Sequence, residues 1–135
     1  PTATGLHKGQ VKVWPYFAEL TDRLGQHGLA VAYCVPPAEA GQARNNAPRA
    51  HALPPLPLGV FAALTRAARL VVCNDSGVSH LAAAAGARQL TLFGVTSPAR
   101  TGPWSPDAHC MGENGKWPDL TSVVEATLKI STRID

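Results

Sequence analysis

Short apolar runs alternate with helix-like patterns along this chain, and Gly, Pro or polar clusters close each run. The apolar runs predict four strands, at residues 29–35, 50–53, 70–73 and 89–93. Apolar positions at helical spacing predict five helices, at residues 14–24, 39–46, 58–68, 77–85 and 120–128. The Gly-, Pro- and Ser-rich residues 94–106 are predicted to form a loop, and Gly25 or Gly28 is expected to end the first helix.

Strands that alternate with helices predict parallel pairing, because a parallel crossover needs a connection of helix length. The expected fold is therefore α/β, a doubly wound, Rossmann-like parallel sheet, in one domain over residues 1–135. Such sheets bind ligands beyond the carboxyl ends of their strands. At the end of the predicted strand 70–73 stands Asn74-Asp75-Ser76-Gly77, which makes this turn the first candidate site.

Composition narrows the function classes. A chain of 135 residues with 45% apolar and 16% charged residues suits one globular core. The net charge of +3 favours anionic partners, but no Lys/Arg run and only 6% aromatic residues argue against nucleic acid. No apolar run approaches the ~20 residues of a membrane span.

Three widely spaced cysteines without a Cys-x-x-Cys pair predict free thiols in a reducing cytosol and no metal site. Because the chain starts at Pro1 without a leader pattern, a start inside a longer protein is expected.

The turn at Asn74-Asp75-Ser76-Gly77 has the features of an anion site. The helix that begins at Gly77 offers free N–H groups and a partly positive end, and Gly77 has no Cβ to keep a phosphate away. Asp75 and Ser76 are candidates for bonding sugar hydroxyls, and His80 lies one turn into the helix. The plainer alternatives are that Asp75 or Ser76 caps the helix, that Gly77 serves only the turn, and that His80 is an ordinary surface or core histidine.

Other residues are further candidates for this anion site. Gly94 and Thr96 follow the next predicted strand and place a second polar loop beside the first. Lys12, just before the first helix, could neutralise a diphosphate, and Glu39, after the strand 29–35, could hold ribose hydroxyls. The alternative is that Lys12 and Glu39 are ordinary charged residues on the solvent-exposed surface.

Four segments form a recognisable set: Asn74-Asp75-Ser76-Gly77 with His80-Leu81-Ala82-Ala83-Ala84, Leu92-Phe93-Gly94-Val95-Thr96-Ser97-Pro98, Gly102-Pro103-Trp104, and Lys12-Val13-Trp14-Pro15. Together they resemble the carboxyl-terminal signature of glycosyltransferase family 9, the ADP-heptose–lipopolysaccharide heptosyltransferases. Trp117 followed by Val123-Val124 is similar to the closing segment of the family. An Asp-Ser-Gly before a histidine also resembles a subtilisin-like aspartate motif, but the serine and histidine blocks of that class are absent from the sequence.

The resemblance implies that this chain is the donor-binding, carboxyl-terminal half of a GT-B glycosyltransferase. It implies transfer of heptose from ADP-heptose to the lipopolysaccharide inner core without a metal or other cofactor, in the cytoplasm or peripherally at the inner membrane. Lys12 and the backbone at Ser76 and Gly77 would hold the diphosphate, while Asp75, His80, Gly94 and Thr96 would surround the donor. Glu39 would lie near the adenosine ribose, and His80 is a weak acid/base candidate.

The chain departs from the family pattern in one large respect. Family members carry an amino-terminal half that supplies the acceptor site and a carboxylate base, and 135 residues cannot hold both halves. The isolated chain is therefore expected to have little or no transferase activity. A non-catalytic or degenerate nucleotide-sugar-binding module is the alternative function.

Overall fold

The computed structural model describes residues 1–3 and 5–132. Its strands are β1 (Leu6–His7), β2 (Gln10–Val11), β3 (Ala32–Tyr33), β4 (His51–Ala52), β5 (Val71–Asn74), β6 (Gln89–Phe93) and β7 (Ala108–Gly112). Its helices are α1 (Phe17–Gln26), α2 (Ala40–Asn46), α3 (Leu58–Ala67), α4 (Gly77–Ala84), α5 (Pro98–Thr101) and α6 (Leu120–Ser131). No helix in these residues is long and apolar enough to span a membrane.

The strands form three separate groups. β1 and β2 make a small antiparallel hairpin, whose turn places Lys8 and Gly9 at φ values of 49° and 78°. β3 pairs in parallel with β4, and β5, β6 and β7 form a parallel three-stranded sheet in that order. The prediction of an α/β fold with parallel pairing is confirmed, but the parallel strands lie in two groups that do not pair with each other among the described residues.

The core is built on the central strand of the larger sheet. Every residue of β6 is buried, because its continuous Gln-Leu-Thr-Leu-Phe run is covered on both faces. Helix α1 contributes Phe17, Leu20 and Leu24 to this core, and α6 contributes Val123 and Ile130. The buried indole of Trp14 packs edge-on against Phe17, with ring centroids 5.4 Å apart, and its Nε1–H donates to the Pro118 carbonyl over 2.8 Å.

Most predicted elements are present with shifted ends. Helix α1 begins at Phe17 rather than at Trp14-Pro15, and it ends before Gly28, whose φ of +74° reverses the chain. β5 extends one residue further than predicted, to Asn74. The predicted strand 29–35 shrinks to Ala32–Tyr33, because only these two residues pair with β4.

One helix and three strands were absent from the prediction. Residues 94–106 are not all loop, since Pro98–Thr101 forms the single turn α5 after Ser97. β7 was missed because Ala-His-Cys-Met-Gly lacks the β-branched and aromatic residues that mark strands. The β1–β2 hairpin was missed because its two-residue strands carry too short a pattern to detect.

Candidate functional site

Asp75 is the centre of the polar cluster at the carboxyl end of β5. Its residue is only 5% exposed, and its Oδ2 atom accepts hydrogen bonds from the hydroxyls of Thr96 at 2.6 Å and Thr101 at 2.9 Å. The Lys12 ammonium lies 3.8 Å from the same oxygen. Because a buried carboxylate needs hydrogen-bond partners, Asp75 holds the loop after β6 next to the start of α4, with the Lys12 ammonium nearby.

Asn74, the residue before Asp75, holds two distant segments together. Its Oδ1 accepts from the backbone N–H of Trp14 at 2.9 Å, and its Nδ2 donates to the Thr2 carbonyl at 3.2 Å. The side chain is almost fully buried, so these bonds replace water that it has lost. Asn74 thereby positions the segment that carries Lys12.

The start of α4 is open to solvent. Ser76 is the N-cap residue, with an extended backbone at φ −155° and ψ 177°, and its side chain makes no capping bond. The carboxylate of Asp75 accepts from Thr96 and Thr101 instead, so the alternative that Asp75 or Ser76 acts as a side-chain cap is wrong. A Cβ placed on the exposed Gly77 would meet nothing within 4 Å, which leaves space over the first N–H groups of the helix.

Gly94 lies in a different environment from Gly77. It is buried beneath Trp117, and a Cβ at this position would come within 1.9 Å of the indole ring. Its carbonyl accepts from Gly115 N–H at 2.8 Å. Packing against Trp117 therefore explains this glycine, and contact with a donor stays a prediction.

Glu39 reaches the same end of the fold through Thr2. It lies in the 3₁₀ turn Pro37–Glu39 after β3, and its Oε2 accepts a short hydrogen bond from the Thr2 hydroxyl. The Thr2 carbonyl in turn accepts from Asn74, so Glu39 is two hydrogen bonds away from the end of β5. His80 is exposed on the second turn of α4, and an acid/base role for it stays a prediction.

Thiol chemistry does not contribute to this site. Cys73 is buried directly before Asn74, and burial raises the pKa of its thiol to about 11, while a hydrogen bond with Thr91 opposes that shift. Burial also raises the pKa of Cys110. Since the thiolate is the reactive form, both thiols are poor nucleophiles at neutral pH. The three cysteines are free, and no cluster of His, Cys, Asp or Glu in the described residues is arranged to hold a metal ion.

The structure brings together most of the predicted site and adds residues to it. Lys12, Asp75, Ser76, Gly77 and Thr96 converge at the end of β5, and Glu39 joins them through Thr2. The sequence reading did not assign roles to Asn74, Thr101 or Thr2. Asn74 and Thr101 stand inside or beside the motif segments, but their partners are 60 and 26 residues away in the chain, so no local pattern signals the contacts.

The parallel strands and the helices that connect them define an α/β domain of the Rossmann-like kind, with a polar, open helix start at the carboxyl end of β5. Residues 1–128 match glycosyltransferase family 9 (heptosyltransferase), and the chain belongs to that family. It is 35% identical over 99 residues to lipopolysaccharide heptosyltransferase 1 of Pseudomonas aeruginosa, covering 69% of this chain and 28% of that protein.

Two solved structures show the same fold. The E. coli heptosyltransferase WaaC with ADP superposes with a TM-score of 0.74 at 25% identity, covering 90% of this chain and 40% of the other. The E. coli ADP-heptose lps heptosyltransferase II gives a TM-score of 0.77 at 25% identity, covering 94% and 44%. Structural neighbours of the GT-B type thus confirm the fold prediction. The chain spans less than half the length of each of these relatives.

Proposed function

We propose that this chain binds the diphosphate of a nucleotide-sugar donor at the start of α4, as the donor-binding, carboxyl-terminal half of a heptosyltransferase. The observation that carries the proposal is the open helix start at Gly77 beside the Lys12–Asp75 pair. Helix N–H groups and an ammonium together suit two neighbouring phosphates. Two structurally similar proteins, a heptosyltransferase with bound ADP and an ADP-heptose heptosyltransferase, support ADP-heptose as the donor.

Within this site the charged residues would have different tasks. Asp75 is a positioning residue, because its Oδ2 already accepts from Thr96 and Thr101 and a second anion beside phosphate would repel it. Lys12 lies 3.8 Å from Asp75, beyond close hydrogen-bond range, so its ammonium can turn toward a phosphate oxygen. Glu39 would bond the ribose hydroxyls, and Thr96 and Gly94 would border the donor.

Transfer of the sugar needs stabilisation of the departing nucleoside diphosphate. The N–H groups at Ser76 and Gly77 and the Lys12 ammonium would supply this stabilisation as preorganised charge, without a metal. The acceptor, the lipopolysaccharide inner core, and the general base that deprotonates it would belong to a part of the enzyme outside these residues. His80, on the exposed side of α4, is the weaker acid/base candidate. Action in the cytoplasm, at or near the inner membrane, stays part of this proposal.

Calorimetric titration with ADP and AMP tests the donor site. ADP is expected to bind more tightly than AMP, because the second phosphate adds contacts at the helix start. Lys12→Ala should weaken ADP binding by about 10- to 100-fold, the loss of a charge-assisted hydrogen bond of about 1.5–3 kcal/mol. Gly77→Ala should also weaken it, because its methyl group enters the open space, while the helix keeps its stability.

The matched control is Lys129→Ala, which removes an exposed lysine from the last turn of α6. It should leave the affinity for ADP unchanged. Equal affinity of the Lys12→Ala and unmodified chains, or equal binding of ADP and AMP, would contradict the diphosphate site.

A non-catalytic nucleotide-sugar-binding module is the second candidate. It needs only the open helix start at Gly77 and the neighbouring Lys12 ammonium, and no general base. Under this alternative, and under the expectation of low activity for the isolated chain, ADP binds but heptose is not transferred. A turnover assay with ADP-heptose and a lipid A–Kdo acceptor tests both expectations, since rates like those of a complete heptosyltransferase would exclude the binding-only function and contradict the low activity expected for the isolated chain.

A further inference from the structure

Asn74 holds the chain on both sides of the β1–β2 hairpin. Its Nδ2 donates to the Thr2 carbonyl over 3.2 Å, and its Oδ1 accepts from the Trp14 N–H over 2.9 Å. The hairpin, residues 6–11, lies between these two attachment points in the sequence. Because Asn74 stands directly before Asp75 at the end of β5, the base of the hairpin is fixed beside the proposed donor site.

The hairpin itself packs loosely on the rest of the chain. Leu6 and Val11 form a cross-strand pair, yet they are 63% and 58% exposed. A Cβ placed on Gly5 or Gly9 would meet nothing within 4 Å. In the part of the chain that the structure describes, no side chain of residues 6–11 makes a hydrogen bond or an ion pair. A two-stranded hairpin that buries so little surface is marginally stable in any one position, so it can move about its base.

The hairpin carries a positive charge at its tip. Lys8 lies in the turn with a φ of 49°, and it is exposed. The sequence contains no Asp or Glu before Glu19, so no acidic side chain within the hairpin neutralises the Lys8 ammonium. An anion is therefore the complementary partner of this tip.

The hairpin is long enough to reach the donor site. Its tip lies about 10 Å from Lys12 at the rise of a strand, and an extended lysine side chain adds roughly 6 Å. Lys12 itself stands 3.8 Å from Asp75. Gly5, at the start of the hairpin, has a φ of 78°, and a glycine can change its backbone angles at little cost. A rotation about the base would thus carry the Lys8 ammonium to a diphosphate beside Lys12.

We infer that the β1–β2 hairpin is a flap that closes over the diphosphate of the bound donor, with Lys8 as a second cation beside Lys12. This inference rests on the proposed function and adds a residue and a movement to it. Closure would pair the Lys8 ammonium with phosphate oxygens and bury part of the Leu6–Val11 pair against the nucleotide. Both gains need the bound donor, so donor binding would shift the hairpin toward the closed position.

A closed flap would serve sugar transfer in two ways. It would keep water, which can accept the sugar in place of the proper acceptor, away from the donor. The Lys8 ammonium would also add to the charge that stabilises the departing diphosphate. Because AMP has no second phosphate to attract Lys8, closure is expected to distinguish ADP from AMP.

Calorimetric titration with ADP tests the charge of Lys8. Lys8→Gln keeps a side chain of similar length in the turn, and it should weaken ADP binding by about three- to tenfold. This loss is smaller than the one expected for Lys12→Ala, because part of the Lys8 contact is spent on holding the flap closed. Lys8→Arg keeps a cation and should bind ADP within about twofold of the unmodified chain. The matched control is Lys129→Ala in the last turn of α6, which should leave the affinity unchanged.

Hydrogen exchange tests the movement. Saturating ADP should slow the exchange of the amides of residues 6–11 by at least about fivefold, because a closed flap opens less often. Saturating AMP should slow these amides less. In the Lys8→Gln chain saturated with ADP, the protection of the hairpin should be lost.

The two measurements separate the flap from the donor site. If ADP binding depends on Lys12 but Lys8→Gln binds ADP as tightly as the unmodified chain, the flap is overturned and the donor site stands. The same holds if the hairpin amides exchange alike with and without ADP. Equal losses for Lys8→Gln and Lys8→Arg would also overturn the flap, because the shape of the turn and not its charge would then matter. If the unmodified chain does not bind ADP at all, both the flap and the donor site are overturned.

Discussion

At the scale of single residues, one carboxylate oxygen organises the site. Asp75 Oδ2 accepts from the hydroxyls of Thr96 and Thr101 in the segment after β6, and the Lys12 ammonium, from the segment before α1, lies 3.8 Å away. Thr96 and Asp75 are both buried, so their bond of 2.6 Å is the one least open to replacement by water. The short Thr96 side chain is therefore more important for stability than its position in a loop suggests.

Thr96→Val should lower the free energy of unfolding by about 1.5–3 kcal/mol, because it keeps the shape but removes a donor to a buried carboxylate. Urea unfolding measures this loss. Thr96→Ser keeps the hydroxyl and should lose less than the valine variant. Thr101→Val is the matched comparison at an exposed donor to the same oxygen, where water can replace the hydroxyl and the loss should be smaller. Equal stability of Thr96→Val and the unmodified chain would mean that this bond contributes nothing.

At the scale of elements, the sequence predicted the ends of those strands and helices that local interactions determine. β6 has the predicted ends because an apolar run lies between polar breakers and is buried throughout. β3 is shorter than its apolar run because strand length depends on a paired neighbour, which the run itself cannot indicate. The links that Asn74 makes to Trp14 and Thr2 span 60 and 72 residues, so they follow only from the folded arrangement.

Helix α6 offers a test of a local signal that the structure adds. Its N-cap residue Asp119 accepts from the Ser122 N–H at 2.9 Å and from the Ser122 hydroxyl at 2.7 Å. The backbone bond, followed by the side-chain bond, lowers the pKa of Asp119. A carboxyl whose pKa is lower in the folded state stabilises the fold above its unfolded pKa of about 3.9, and this contribution is lost as the pH falls through the folded value.

Asp119→Ala should therefore reduce the thermal midpoint at pH 7, and the difference from the unmodified chain should shrink below about pH 4. Asp119→Asn is the matched control, because an asparagine side chain caps equally well without titrating. It should have nearly the unmodified stability at pH 7 and no corresponding loss in acid. A difference for Asp119→Ala that stays constant from pH 7 to pH 3 would contradict the capping role of the carboxylate.

At the scale of the whole molecule, the two groups of parallel strands differ in how firmly they are held. β6 is buried along its length and paired on both sides, whereas β4 is exposed and pairs with β3 over only two residues. Helix α3, next to β4, buries only Thr65 and leaves Leu58 and Val60 exposed. Because β3 and β5 both line an apolar cavity of about 540 Å³, opening of the smaller group should expose less buried surface than global unfolding does.

Native-state hydrogen exchange should resolve this difference. The amides of β6 are expected to exchange only through global unfolding, so their exchange slows to the limit set by overall stability. The amides of His51 and Leu53, which donate to β3, should exchange at least about 100-fold faster, through local opening of the smaller group. Their rates should also depend less on denaturant, since local opening exposes less surface than unfolding. Amides of the buried face of α6, such as that of Val123, serve as the comparison within the larger core and should follow β6. If the amides of His51 and Leu53 instead exchange as slowly as those of β6, the two groups of strands form one cooperative unit. The cavity beside β3 then does not lower the local stability of the smaller group.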